Sequence, residues 1–330
     1  MSLFGGVISI SNISTLLFVV FAVLAVGYAL GRITIKGVSL GDAGVFIIAL
    51  LAGALFFTVG DAGLIFAGSS KPYDFNSGLS LIESLGLVLF VTSVGFIAGP
   101  KFFGNFKRNF KSYVLLGLII IIAGGLAAAA CIGMGEVIGY GGSIKDQDGF
   151  VAMIVGLLSG SLTSTPAFSA AKATVAEQYQ SLVSVGHGIA YIFGVIGVVL
   201  FVQLIPKMTK ANMEEERAKI SGAQETEKVK KFTGKLLELD EHGFGAFALA
   251  AVFGVIVGKI MIPLTANGLS GNCFSLTTTG GCLLVSLVFG HFGRIGKLSI
   301  MPKQSTLKLF RELGLMLFLI GAGIPGGAEF

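Results

Sequence analysis

Charge is what this sequence has least of. Asp, Glu, Lys and Arg make up 12% of its 330 residues, against about 25% in a soluble domain. Residues 1–31, 43–60, 84–100, 112–135, 149–171, 178–206, 243–258, 260–293 and 313–328 hold none of the four. A helix of about 20 apolar residues spans the hydrocarbon layer, where an unpaired backbone group costs several kcal/mol. These windows therefore predict an all-α polytopic membrane protein. Cysteine is also scarce: Cys131, Cys273 and Cys282 show no metal-ligand spacing, and two of them sit in apolar stretches as packing residues. The first positive residue is Arg32, so the N-terminus lacks the basic region of a cleavable signal. No HExxH, GxSxG or GxxxxGK[ST] occurs, which leaves an intramembrane hydrolase or an ATP-driven pump without support. Gly321-Ala322-Gly323-Ile324-Pro325-Gly326 matches GxGxxG, but no strand precedes it and no acidic residue follows at the required distance. A dinucleotide site is rejected. No enzyme activity, cofactor or metal is expected.

Glycine is plentiful, at 49 residues. In a bilayer that points to close helix packing, because small residues let backbones approach where no hydrophobic force drives them together. Gly27xxxGly31, Gly95xxxGly99, Gly156xxxGly160, Gly254xxxGly258 and Gly323xxxGly327 fit this pattern. Four of these five pairs are copies of one another. Leu85-Gly86-Leu87-Val88-Leu89-Phe90 returns as Leu313-Gly314-Leu315-Met316-Leu317-Phe318, with seven of fifteen positions identical at an offset of 228. Gly27–Ile33 returns as Gly254–Ile260 at an offset of 227. A period this long marks a duplicated half-fold, and duplicated membrane halves point to a transporter.

Spans are predicted over 13–31, 43–60, 82–100, 112–135, 185–206, 243–262, 276–293 and 312–328. The segment 149–180 is apolar but interrupted, and is read as a re-entrant hairpin or a broken helix pair. With that reading, one face holds nineteen of the 23 Lys and Arg residues, which makes it the cytoplasmic face. The net charge of +5 is then a matter of topology and not a nucleic-acid signal. Five crossings in the first copy place the second copy upside down, the inverted-repeat plan of secondary transporters. The expected organisation is a first repeat over 1–206, a hydrophilic cytoplasmic linker over 207–242, and an incomplete second repeat over 243–330. The linker balances eight acids with eight bases, as a solvated segment does.

The main candidate site is Ser159-Gly160-Ser161-Leu162-Thr163-Ser164-Thr165-Pro166. Pro166 is expected to break the helix. Ser161, Thr163, Ser164 and Thr165 offer hydroxyls, and Gly160 would let a ligand reach the backbone. Unwound backbone at membrane depth is tolerated only where it is buried or lines a cavity, and half-helix N-termini suit a carboxylate. Lys172 can pair with an anionic solute or snorkel to the interface. His187 is the only side chain of 178–206 that titrates near neutral pH, open to a coupling role or to packing. Glu83 and Glu312 are further coupling candidates. Both are read as acids in the first turn of the repeated helix, where the helix dipole favours them.

The runs Leu85–Phe103, Gly156–Ala167, Ala190–Gly197 and Arg311–Leu319 resemble the aspartate:alanine exchanger family of bacterial secondary transporters. The resemblance covers essentially the whole chain. It implies gradient-driven exchange of small carboxylates or amino acids, in the inner membrane of a bacterium, without ATP. The partners it implies are a small anionic or zwitterionic solute and the lipid bilayer. Two features depart from the family. The segment 207–242 is too short for the regulatory domains often placed between the halves, and a Tyr-Pro-Phe-Gly motif reads Tyr191-Ile192-Phe193-Gly194 here. The second copy also lacks counterparts of 100–206, which leaves open a half-transporter completed by a partner chain or a homodimer. A passive anion channel, with the Ser/Thr-Pro hairpin as selectivity loop, is the other alternative.

Overall fold

The computed structural model describes residues 13–35, 38–58, 75–109, 114–138, 147–210, 240–263 and 273–327, with short pieces at 2–3, 8–9, 212, 214–215 and 237–238. Most of the 207–242 linker lies outside the described residues. The helices are α1 (Ile13–Gly31), α2 (Ala43–Thr58), α3 (Phe75–Asn109), α4 (Leu115–Ile138) and α5 (Gln147–Ser161). They continue as α6 (Thr165–Thr174), α7 (Gln180–Met208), α8 (Phe244–Gly258), α9 (Thr277–Phe292) and α10 (Gln304–Gly327). Among the described residues the strands are two-residue pieces outside the helices. Among the described residues four helices are long and apolar enough to cross a membrane, at 13–31, 77–100, 115–135 and 177–198. Shorter apolar helices cover 43–55, 244–258 and 277–292. The chain is an all-α polytopic membrane protein.

The predicted spans fall on these helices, but α3 and α10 are longer than their apolar windows. The window 82–100 lies inside Phe75–Asn109, and 312–328 lies almost wholly inside Gln304–Gly327. Helix formation needs only backbone hydrogen bonds and tolerant side chains. Polar flanks such as Asn76-Ser77 and Gln304-Ser305-Thr306 therefore extend the helix beyond its apolar part. Glu83 and Glu312 consequently sit well inside α3 and α10, and the first-turn dipole argument does not apply to them.

The chain divides into two compact units, and each draws on both sequence copies. One comprises Met1–Phe90, Gly124–Phe193 and Phe310–Phe330; the other comprises Val91–Ala123 and Gly194–Leu309. In the first unit α1 packs on α2 through glycine. A Cβ on Gly27 would fall 2.5 Å from Val45 Cα, and one on Gly44 would fall 2.7 Å from Gly27 O. The C-terminal half of α10 then lies on α2, where a Cβ on Gly327 would fall 2.9 Å from Leu50 Cα and one on Gly323 would fall 2.7 Å from Ala49 Cβ. Leu16, Val19, Val20, Val23, Val45, Ala49, Met316, Ile320 and Ile324 form the core between them.

The second unit repeats this plan with the other copy's parts. A Cβ on Gly254 of α8 would fall 2.5 Å from Cys282 Cα of α9, and one on Gly281 would fall 2.6 Å from Gly258 Cα. The C-terminal half of α3 lies on α9, where a Cβ on Gly99 would fall 2.8 Å from Gly290 Cα. Phe96 stacks on Phe247 beneath that contact at 6.3 Å. Each α-hairpin is thus closed by the repeated helix of the opposite copy: α10 on α1–α2, and α3 on α8–α9. All five predicted GxxxG pairs carry helix contacts, the fifth being Gly156 and Gly160 of α5 against α7.

Candidate functional site

The segment 149–180 is a broken helix pair. At the end of α5, the Thr163 N–H donates to Gly160 O and the Ser164 N–H donates to Ser159 O, each at 2.9 Å. These are the paired 5→2 and 6→1 bonds of a Schellman stop, whose central residue takes left-handed backbone and is usually glycine. Here it is Thr163, at φ 49°. A β-branched residue in that region is a steric outlier, and such strain persists only where the surroundings over-determine it. Ser164 then caps α6, its Oγ accepting the Ala167 N–H at 3.3 Å. Pro166 lies in the first turn of α6, where its missing N–H costs nothing. It starts the second helix, and the break itself is made by Thr163, against the expectation placed on the proline.

The hydroxyls divide by role. Ser161 is exposed and returns its proton to Leu158 O at 2.9 Å. Ser164 is engaged as the cap. Thr165 is buried and Thr163 half-buried at the turn. Gly160 does not open the backbone to a ligand in this conformation, because α7 fills that space. A Cβ there would fall 2.9 Å from Tyr191 N and 3.0 Å from Ala190 Cβ.

Behind the break lies a buried aromatic cluster that the sequence did not reveal. His187 is fully buried. Its imidazole stacks on Phe168 of α6, with centroids 4.1 Å apart, and on Tyr191 of α7 at 5.2 Å. Phe46 of α2 meets it edge-on at 5.6 Å. Ser159 Oγ donates to Gly156 O at 2.8 Å and lies 2.9 Å from His187 Nδ1. A hydroxyl has one proton, so with that proton on Gly156 the Nδ1–H must be the donor to Ser159. The other ring nitrogen, Nε2, then carries a lone pair. It is buried and has no hydrogen-bond partner among the described residues.

Lys172 neither reaches an interface nor stands free. Its Nζ is 2.9 Å from Glu83 Oε2, with the two side chains only 10% and 15% exposed. The ammonium also lies 5.9 Å from the Phe168 ring centroid. Snorkelling is thereby corrected: a carboxylate on α3 draws the stem inward, since a buried ammonium needs a counter-ion. Glu312 behaves differently. It is exposed and sits 3.6 Å from Arg311. At the repeat offset of 228, Glu83 matches Arg311, so the two glutamates are one residue out of register and point about 100° apart.

The site therefore brings together Ser159, Thr163, Phe168, Lys172, His187 and Glu83, and leaves Glu312 and Ser161 outside. Phe46, Phe168 and Tyr191 were invisible as site residues because an aromatic in an apolar run reads as a lipid or core contact. Only the unusual His in such a run gave a signal. Among the described residues no group of His, Cys, Asp and Glu could hold a metal ion.

The sequence matches the family model described as a predicted permease membrane region, the Asp-Al_Ex family, over residues 19–207 and 246–330. A Bacteroides thetaiotaomicron protein described as an uncharacterized transporter is 35% identical over 203 residues, 62% of this chain and 32% of that protein. A Bacteroides fragilis protein with a similar description is 34% identical over 203 residues, with the same coverage. The matched region thus spans about a third of the length of these relatives. No solved structure matches.

Proposed function

The chain belongs to the predicted permease membrane region family, and from that premise we propose that it is the membrane part of a secondary active transporter. In this reading it is an antiporter that exchanges small carboxylates or amino acids across the inner membrane of a bacterium. The observation that carries the reading is the α5–α6 break. A helix is interrupted inside an apolar bundle by a left-handed Thr163, next to the N-terminus of a second helix. Broken helices of this kind place N–H groups and a positive dipole end at a solute carboxylate.

Two further features support the reading. The repeat, with its odd number of crossings in the first copy and its loop charges, fits an inverted pair. Gly86 and Gly314 contact each other reciprocally, as positions related by a two-fold axis do. The 207–242 linker is assigned to the cytoplasm on its basic residues. A homodimer would bring two α5–α6 breaks into one assembly.

The test is counterflow in proteoliposomes loaded with L-aspartate, L-alanine or a dicarboxylate. An exchanger shows uptake stimulated by internal solute, whereas a channel shows flux without that stimulation. Thr163→Val combined with Thr165→Val should abolish exchange while the protein still inserts. Undiminished exchange by that double variant sinks the site assignment.

A further inference from the structure

His187 is built into the break from several directions. Ser159 binds its Nδ1–H with the side chain and the Ser164 N–H with the backbone carbonyl. One residue thus ties the imidazole to the left-handed turn. Gly156 and Gly160 bring α5 against the α7 backbone at this level, where a Cβ on Gly156 would fall 3.0 Å from His187 N. Phe168 and Tyr191 both stack on the ring. The ring is fixed in place, and with the Ser159 proton on Gly156 O the ring's proton sits on Nδ1, which leaves Nε2 as its one unpartnered polar atom among the described residues. Leaving a buried polar atom unpaired is costly, and native structures rarely do so without a use for it.

The surroundings determine what can meet that atom. No carboxylate forms an ion pair with His187 among the described residues. The charges nearby are Lys172 on the Phe168 ring, its partner Glu83, and Asp42 acting on Tyr191. A charged imidazolium would lie buried without a counter-ion, so the ring is neutral. A neutral imidazole with Nδ1–H engaged is an acceptor at Nε2. A carboxylate is repelled there, whereas an ammonium, amine or hydroxyl is bound.

We propose that His187 Nε2 is a solute-binding atom of the transport site, which accepts a hydrogen bond from an N–H donor of the transported molecule. This rests on the transporter reading and adds a residue and a polarity to it. The α6 N-terminus takes the anionic end of the solute, and His187 takes the donor end. It also replaces proton coupling as the role for His187: the imidazole works as a fixed lone pair and does not change charge during transport. A site that hydrogen-bonds a solute N–H rejects the analogue lacking it, because the buried acceptor is then left unpaired. His187 is in this sense a specificity-determining residue.

The experiment uses the full chain in nanodiscs with ¹⁵N-labelled histidine. The chain has three histidines, so the His187 signals are assigned by their loss in His187→Asn. The probes are L-alanine and L-aspartate, each paired with its deamino analogue, propionate or succinate. Thermal stabilisation gives an independent readout of binding. The expected result is a free ring in the Nδ1–H tautomer whose Nε2 resonance moves with an amine probe and not with its analogue.

His187→Asn keeps a donor for Ser159 but has no atom at Nε2. It should weaken amine binding about 10- to 100-fold and leave the deamino analogue unchanged. His187→Gln, which places its amide near Nε2, should recover part of the loss. If an amine probe stabilises the protein while Nε2 stays unmoved and His187→Asn binds equally well, this inference falls and the transporter reading stands. An Nε2–H tautomer in the free protein also overturns it. If none of the four probes stabilises the protein, the assignment of the break as a carboxylate or amino-acid site falls with it.

Discussion

Gly86 of α3 and Gly314 of α10 hold each other's backbone. A Cβ on Gly86 would fall 2.6 Å from Gly314 O, and a Cβ on Gly314 would fall 2.7 Å from Gly86 O. Each is also pressed against the amide of the residue four positions on in its partner, Phe318 and Phe90. These contacts are mutual at the repeat offset of 228, so the duplication visible in the sequence meets itself at this crossing. In lipid, where apolar side chains gain nothing by leaving their surroundings, close backbone approach is what holds two helices together.

Adding one methyl group at this crossing should therefore be costly. Gly86→Ala and Gly314→Ala are each expected to destabilise the fold by about 1–3 kcal/mol, the usual cost of overpacking. The two losses should be similar because the contacts are reciprocal. Gly117, Gly125 and Gly133 of α4 meet nothing within 4 Å. Alanine at those positions should be neutral or stabilising by up to about 1 kcal/mol, through lower entropy of the unfolded chain. Thermal unfolding in detergent compares the two groups directly. Equal behaviour of both groups would remove the crossing as a structural determinant.

Thr163 offers a test of whether strain at the break is used. Left-handed backbone costs a non-glycine residue roughly 1–2 kcal/mol. Thr163→Gly should raise stability by about 1 kcal/mol, less the entropy that glycine adds to the unfolded chain. Thr163→Val keeps the strain, loses the hydroxyl and should not stabilise. If Thr163→Gly is more stable yet exchanges poorly, the threonine is retained for transport. If it is more stable and exchanges normally, the hydroxyl and the strain are both incidental.

The sequence was legible where physical chemistry writes along the chain, and silent where it writes across it. The predicted spans 13–31 and 43–60 matched α1 and α2 to within two residues, and glycine spacing located the helix contacts. The interruption at 159–167 was legible from its hydroxyls and proline, although the residue that turns the chain is Thr163. Which helix closes which hairpin was not legible: a repeat shows what is copied, and the exchange of α3 and α10 between the copies depends on three-dimensional connection. The one-residue slip between Glu83 and Glu312 was available from the offset alone, and it separates a buried ion pair from an exposed acid. Phe168 carried no signal at all. Its significance comes from stacking on His187 and lying beneath Lys172.

Asp240 gives a pH dependence outside the spans. Its carboxylate accepts the backbone N–H groups of His242, Gly243, Phe244 and Gly245 and so caps α8. The bond from Gly245, with those from Phe244, Gly243 and His242, holds its pKa below the ordinary carboxylate value. A depressed folded pKa means the cap's contribution is complete above the unfolded value of about 4. It is lost as pH falls from there through the lower folded pKa. Stability of the α8 region, followed by amide exchange at 243–247, should fall over that acid range in the native chain. In Asp240→Asn the acid step should shrink, since the side chain no longer titrates. An unchanged acid profile in that variant would assign the loss to other groups.

The pair Lys172–Glu83 separates structural from transport roles. At 2.9 Å and with little exposure, each charge depends on the other. Removing one partner of such a pair leaves an uncompensated buried charge, at a cost of about 3–5 kcal/mol, whereas replacing both with apolar residues is often neutral. Glu83→Gln and Lys172→Met alone should each destabilise strongly in unfolding measurements. Lys172→Met with Glu83→Leu should recover most of that loss. Exchange is then measured in the recovered double variant. If the pair only pins α6 to α3, counterflow returns with stability. If Lys172 also receives the solute carboxylate during the cycle, the double variant folds and does not exchange, because no cation remains beside Phe168. Failure of the double variant to recover stability would mean that Lys172 and Glu83 have partners besides each other, and the pairing in this conformation would not describe their energetics.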